Sequence, residues 1–240
     1  MKAEVINVYD LPPVSNICDQ ILRECVRLPK VSMAHVIMQP KNSSLLHEHH
    51  GTEECYFITR GKGILYNGAE VLQVGKGSFV SVPVYTPHQL KNFEKSLEHL
   101  VLAFPPFNPD DVFVIDTLVE KRHMRTVSLP IPIRAADGAI VYELDVPTRE
   151  KSGFGCAYGM LPPKQTANIH FHEQSDEVYY VVSGNGKVRL DNHLYSLVAG
   201  SLVMVPAGVR HGLQNTSARK HLEIFCLSSP PYTDSDFLRG

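Results

Sequence analysis

Two stretches decide the fold: KNSSLLHEHHGTEECYFITRG, residues 41–61, and KQTANIHFHEQSDEVYYVVSG, residues 164–184. Laid on one another, His47 meets His170, His49 meets His172, Glu54 meets Glu177 and Gly61 meets Gly184, each pair 123 positions apart. The offset runs on without a gap through Gly63 and Gly186, Gly77 and Gly200, Pro83 and Pro206, His88 and His211, and Asn92 and Asn215. Beyond that, two residues are inserted in the second copy, so LEHLVLAFPPF at Leu97 aligns with LEIFCLSSPPY at Leu222, offset 125. Chance does not supply so many matched Gly, Pro, His and Glu positions, and the chain is therefore an internal duplication. The repeat predicts two domains, residues 1–118 and 119–240, with a boundary near residues 116–123.

Around these stretches the apolar runs are short and rich in Val, Ile, Tyr and Phe: ECYFITR, GSFVSVP, EHLVLAF, EVYYVVS, GSLVMVP and LEIFCLS. Gly, Pro or Asn bounds each, which reads as strands joined by tight turns. With 17 prolines and 16 glycines spread over the chain, few segments could run as a long helix. Short helical pieces are expected around residues 16–25 and 109–117. The fold class is all-β, and a half of this size built from short strands suits a jelly roll, which handles its edges by doubling the sheet.

The 240 residues are 43% hydrophobic and 20% charged, ordinary for a globular protein, and the net charge of −2 comes with no block of like charges. Nothing electrostatic therefore points to nucleic acid or a membrane surface. No apolar run approaches the roughly 18 residues of a membrane span. The opening MKAEVINVYDLPPVSNICDQ lacks the basic start and apolar core of a signal peptide. Five scattered cysteines without a CxxC pair argue against a disulfide framework and fit a reducing cytoplasm.

An HxH on a strand points both imidazoles to one face, so His47 pairs with His49, and His170 with His172. Glu54 and Glu177 begin the next apolar strand, and His88 and His211 follow a proline turn some thirty residues on. Three imidazoles and one carboxylate can thus converge inside each barrel. Such donors suit a divalent transition metal and leave positions open for substrate, whereas closed structural zinc sites favour cysteine. A lone buried histidine is usually a hydrogen-bonded core residue; the recurrence of the whole set, and the cost of burying a carboxylate without a cation, favour metal. His35, His99, His123, His193 and His221 have no counterpart in the other copy and read as structural, and His50 reads as exposed. Tyr56 and Tyr179, two residues past the carboxylates, share their face and are candidates for the pocket walls. Glu98 and Glu223 match across the repeat, as groups behind the ligands or as solvated strand positions. Arg60 and Arg189 are unmatched and carry no role.

At these residues the chain resembles the cupin superfamily, and the duplication makes it resemble a bicupin. The family's first motif, G(X)5HXH(X)3-4E(X)6G, falls on residues 41–61 and 164–184. The second, G(X)5PXG(X)2H(X)3N, falls on GSFVSVPVYTPHQLKN, residues 77–92, and GSLVMVPAGVRHGLQN, residues 200–215. The resemblance implies two tandem jelly-roll barrels. It implies metal ligands His47, His49, Glu54 and His88 in the first, and His170, His172, Glu177 and His211 in the second. Lys41 and Lys164 stand where the family has its opening glycine. Tyr85 replaces the glycine before the third histidine of the first copy, where its bulk would tilt the His88 loop or narrow that pocket; Gly208 keeps it in the second, which is favoured if one half alone works.

Cupins with this donor set include several chemistries, so three readings stay open. The first is an oxygenase or dioxygenase with iron. The second is non-redox isomerase, lyase or hydrolase chemistry with zinc, manganese or nickel, for which Tyr56, Tyr179, Glu98 or Glu223 would supply the proton-transfer group. The third is a small-molecule binding protein without turnover. Storage and oxalate-degrading bicupins are much longer chains, and their extra arms find no residues here. One metal per barrel, a small-molecule substrate and a homodimer formed through sheet edges complete the expectations.

Overall fold

The alternating runs form the strands expected of them. In the computed structural model, which describes residues 1–18, 20–93, 95–117, 123–146 and 153–240, ECYFITR lies in Glu53–Arg60, GSFVSVP in Phe79–Val82 and EHLVLAF in Leu97–Phe104. Their repeats occupy Asp176–Ser183, Ser201–Val205 and Leu222–Ser229. Among the described residues helix is confined to single 3₁₀ turns such as Pro109–Asp111. No helix among the described residues is long and apolar enough to cross a membrane.

The chain divides into two compact units, Leu11–Leu129 and Met1–Asp10 with Pro130–Gly240. Each is a pair of sheets, as a jelly roll requires. In Leu11–Leu129, one six-stranded sheet carries Ile21–Arg27, Ser32–Met38, Leu97–Phe104, Glu53–Arg60 and Phe79–Val82. The other carries His47–Glu48, His88–Lys91, Lys62–Asn67 and Glu70–Gly75. The second unit repeats this with a seven-stranded and a five-stranded sheet. Apolar side chains fill each barrel: Val36, Ile58, Leu65, Leu72 and Leu90 in one, Val181, Val188, Leu197, Val203 and Ile224 in the other.

The units depart from the division at 118/119 for reasons of strand pairing. Glu4–Asn7 pairs antiparallel with Ser201–Val205, taking the N-terminus into the second unit. His123–Thr126 pairs parallel with Glu70–Gly75, keeping that segment in the first. The repeat boundary itself, residues 118–122, lies outside the described residues.

The helical expectation fails at residues 16–25 and is met only by a single 3₁₀ turn at 109–117. Ile21–Arg27 is a strand in which Leu22 and Cys25 turn inward. Before it, the Asn16 side chain accepts from the backbone N–H groups of Cys18 and Gln20, a local bond that competes with helix. In the other segment the 3₁₀ turn stops at Asp111, and Phe113–Val114 pairs with His47–Glu48. The repeated glycines have a plain reason. Gly61 and Gly184 hold φ of +82° and +94°, and a Cβ there would meet the carbonyl oxygens of Ser96 and His221 at 2.5 and 2.4 Å.

Candidate metal centres

Strand pairing assembles the centres. The HxH strand lies beside the strand of the third histidine, with His47 opposite His88 and His170 opposite His211. The facing sheet brings Glu54 and Glu177, each the second residue of its strand. The donor atoms of His47, His49, Glu54 and His88 all lie within 4.8 Å of one another, as do those of His170, His172, Glu177 and His211. All eight side chains are buried.

The imidazoles are oriented by the backbone. Nδ1 donates to Leu45 O at 2.9 Å from His47, to Asp111 O at 2.8 Å from His49 and to Thr86 O at 2.9 Å from His88. The second centre repeats this with Asn168 O, Asp236 O and Val209 O at 2.8, 3.1 and 2.9 Å. A carbonyl only accepts, so each Nδ1 carries the proton and each Nε2 turns a lone pair inward. That is the tautomer a metal ligand needs.

Charge completes the fit. Nε2 of His49 and His88 lie 3.5 and 3.3 Å from the Glu54 carboxylate; Nε2 of His172 and His211 lie 3.6 and 3.0 Å from Glu177. Buried Nε2 atoms of His49, His88 and His211 have no hydrogen-bond partner. Lone pairs facing a carboxylate at these distances repel unless a proton or a cation lies between them. Burial raises the Glu177 carboxyl, yet His211, His172 and Tyr179 outweigh it and hold it at about 2. Glu54 likewise stays well below the ordinary range, burial being overcome by His49 and His88. Burial and the neighbouring His88 push His47 down to about 4, leaving it neutral and ready to coordinate at pH 7. Charged carboxylates and unpartnered Nε2 atoms gathered within 4.8 Å fit a divalent cation in both barrels.

Tyr56 and Tyr179 stand where alternation put them. Their hydroxyls donate to Glu54 Oε2 at 2.9 Å and Glu177 Oε2 at 2.6 Å, and each lines its cavity. Burial and the adjacent carboxylate raise both phenols well above 10, so they remain donors and cannot act as bases near neutral pH. Glu223 does not reach the site. It shares a strand with Leu222, Ile224, Cys226 and Ser228, which line the cavity, and it turns to the other face, where Tyr158 Oη donates to it at 2.6 Å. Glu98 is buried against His35 at 3.3 Å and Arg60 at 3.2 Å, neither solvated nor beside the ligands. His99 is a core residue stacked on Tyr56, whereas His193 and His221 are exposed. His50 is half-buried, stacked on Phe113. The side chain of His123 lies outside the described residues.

Tyr85 leaves the first pocket open, contrary to expectation. It adopts φ +57° where Gly208 has +82°, and both make the same bond, Tyr85 N to His49 O at 2.7 Å and Gly208 N to His172 O at 2.6 Å. Its ring is exposed against His50. Lys41 and Lys164 also take the left-handed backbone of the glycines they replace, φ +62° and +63°.

Sequence reasoning missed Asp111 and Asp236. Besides their carbonyls on His49 and His172, their carboxylates cap the loop after each HxH: Asp111 accepts from His50 N and Gly51 N, Asp236 from Gln174 N, Ser175 N and Ser175 Oγ. The offset between them is 125, the register already set by Leu97 and Leu222, so carrying the alignment past the paired prolines finds them.

The cavities differ. The first, about 290 Å³, is walled by Cys18, Leu22, Met33 and Phe107 beside His47, Glu54 and Tyr56. The second, about 410 Å³, adds Arg134, Asp137, Glu143, Tyr232 and Asp234 to mostly apolar walls.

The family profile of the cupin domain matches residues 34–102 and 157–228, more than half of the chain and once in each half. An uncharacterized protein of Methanocaldococcus jannaschii is 32% identical over 88 residues, 36% of this chain and 70% of that one. A protein of Streptomyces cyaneus described as polyketide synthase CurC is 32% identical over 77 residues, 32% of this chain and 49% of its own. Among solved structures, Lactobacillus farciminis oxalate decarboxylase in a formate complex superposes with TM-score 0.71 at 15% identity, over 100% of this chain and 89% of that one. Momordica charantia 7S globulin does so with TM-score 0.72 at 13% identity, over 98% and 86%. At these identities the likeness speaks for the fold alone. It also corrects the argument from length: both proteins are nearly spanned by this chain, so missing arms do not set it apart from oxalate-degrading or storage bicupins.

Proposed function

Because the chain belongs to the cupin domain family in both of its halves, we propose that this metal-binding bicupin is an enzyme acting on a small, oxygen-bearing organic molecule held in the cavity of its second barrel. One observation carries the reading: of the three histidines and one carboxylate of the second cluster, His170, His172 and Glu177 stand in the wall of a 410 Å³ cavity whose other walls are largely apolar. A pocket of that size with a few convergent polar groups suits a small ligand. A relative described as a polyketide synthase is consistent with an organic substrate rich in oxygen.

A divalent transition metal bound there would supply Lewis acidity or one-electron redox chemistry. The chain's own contribution is positional. Backbone carbonyls fix the imidazole tautomers, and Tyr179 holds Glu177 by its hydroxyl. Oxygenase chemistry with iron is the favoured class, because it asks the protein for open coordination positions rather than for a proton-transfer base. A lyase or isomerase using manganese, zinc or nickel is the second reading, and Asp137 supports it. Its carboxylate lines the same cavity and acts electrostatically on His170, Tyr179 and His211, so it replaces Glu223 as the proton-transfer candidate.

The two separate on oxygen. Iron- and manganese-loaded protein would be offered hydroxy acids, keto acids and 1,3-dicarbonyl compounds, with oxygen uptake and products followed together. Uptake stoichiometric with product supports the oxygenase. Turnover that persists without oxygen and falls in Asp137→Asn supports the lyase or isomerase. No turnover with fully loaded protein across the panel counts against both and for a binding protein.

A further inference from the structure

Part of the wall beside each centre comes from a hairpin that repeats with its own offset. Val14–Ser15 pairs with Ile21–Arg27 as Ile133–Arg134 pairs with Ile140–Leu144. Val14 faces Leu22 and Ser15 faces Ile21; Ile133 faces Val141 and Arg134 faces Ile140, every position 119 residues on. The turn bond repeats too, Asn16 N to Gln20 O and Ala135 N to Ala139 O, both at 2.9 Å. At this offset Cys18 falls on Asp137, and each is tied to its centre in the same way. Leu45 N donates to Cys18 O at 3.1 Å and Asn168 N to Asp137 O at 3.0 Å. The carbonyls of Leu45 and Asn168 in turn take the Nδ1 protons of His47 and His170.

The framework is shared and the chemistry is not. Asn16, Cys18 and Gln20 wall the first cavity; Ala135, Asp137 and Ala139 wall the second. The first turn thus presents a thiol between two amides, and Gln20 Nε2 is a buried donor with no hydrogen-bond partner. The second presents a single carboxylate between alanines. Asp137 Oδ1 accepts from Ala139 N at 3.0 Å, and among the described residues no hydrogen bond reaches its other oxygen. Its charge is felt at His170, His211 and Tyr179 on the ligand side of the cavity, and at Tyr232 in the same wall.

We propose that Asp137 sets the specificity of the second barrel by accepting a hydrogen bond from a substrate hydroxyl, so that this barrel selects hydroxy acids and related hydroxy compounds over their oxo counterparts. The inference rests on the small-molecule site proposed above and names what that site prefers. A carboxylate is an acceptor only, so a ligand offering a hydrogen there is held. One offering a carbonyl lone pair at the same place leaves the carboxylate unsatisfied and is disfavoured. The first barrel has no such acceptor charge at the matching position, and its unpartnered group, the Gln20 amide, is a donor. Equivalent turns therefore give the two barrels opposite hydrogen-bonding character.

The test compares mandelate with phenylglyoxylate, which share a skeleton and differ in a hydroxyl against a carbonyl. Full-length His47→Ala/His49→Ala, stripped and loaded with cobalt(II), confines the metal to the second barrel, and calorimetric titration gives both affinities. Aqueous cobalt(II), titrated in the same way, supplies the metal's own preference as the baseline. The expected result is that either enantiomer of mandelate is favoured at least about tenfold beyond that baseline, within the reach of one hydrogen bond to a charged group. Adding Asp137→Asn should return the ratio to the baseline or below it, because Ala139 N keeps the amide oxygen and the amide N–H₂ takes the place of the free oxygen. A ratio at the baseline in the parent overturns the assignment even if the Asp137 variant does not fold. A preference that survives Asp137→Asn overturns it equally. Bound cobalt with neither acid binding overturns the small-molecule reading of that cavity, and the inference with it.

Discussion

Replacing Asp236 with alanine tests the idea that a single carboxylate holds the second HxH loop in place. The residue is 7% exposed, and its carboxylate accepts from Gln174 N at 2.9 Å, Ser175 N at 3.1 Å and Ser175 Oγ at 2.7 Å. Alanine would leave two backbone N–H groups and a hydroxyl without an acceptor, at ~1–3 kcal/mol for each that water cannot reach. Neighbouring losses do not add fully, so the expected cost is about 3–5 kcal/mol of folding stability. The Asp236 carbonyl that orients His172 survives the substitution, but its anchor is gone, and metal affinity at the second centre should fall about tenfold. Asp111→Ala should cost less, about 1–2 kcal/mol, because its side chain is 15% exposed against 7% for Asp236 and water can take over. Urea unfolding of metal-stripped protein reads the folding term, and competition with a chromophoric chelator reads the affinity. A variant within ~0.5 kcal/mol of wild type, the usual range of an inconsequential surface change, and with unaltered affinity would refute the reasoning.

Chelation should lower the melting temperature reversibly, since metal bound by the folded state alone stabilises it; no shift after verified removal would argue against tight sites. Lys41→Gly should raise stability by up to ~1 kcal/mol in urea unfolding, because Lys41 sits at φ +62°, where a Cβ is strained; a loss would show that its side chain contributes more than its backbone costs. His99→Leu should flatten the acid side of the stability profile. Burial, with help from His35, lowers His99 from its ordinary 6.5 to about 3. The unfolded chain therefore takes up a proton that the folded one refuses, and stability present above pH 6.5 drains away as pH falls towards 3. At ~1.4 kcal/mol per pH unit, about 2 kcal/mol of the loss between pH 6.5 and 5 should vanish in the variant. Identical pH slopes for variant and wild type would place the acid sensitivity elsewhere.

The ligands were legible in the sequence because each lies within a short, duplicated segment whose period-two alternation states its facing. His47 and His49, or Glu54 and Tyr56, need no knowledge of the rest of the chain. What stayed hidden depends on contacts between distant segments. Glu4–Asn7 is a plausible strand on sight, but its choice of Ser201–Val205 is a pairing that no local pattern encodes. Glu223 was misjudged because matching across a duplication marks shared structure as readily as shared chemistry; its strand offers Ile224 and Cys226 to the cavity instead. Tyr85 misled through size alone, when the backbone places its ring outside the pocket.

The central claim is one divalent metal in each barrel, and elemental analysis of protein purified without added metal or chelator tests it most directly. The expected result is a stoichiometry near two per chain in the wild type, with iron the favoured element, and near one in His170→Ala/His172→Ala, because the two donor sets share no residue. Metal content unchanged in that variant, or no metal in the wild type and none taken up on titration, would contradict it.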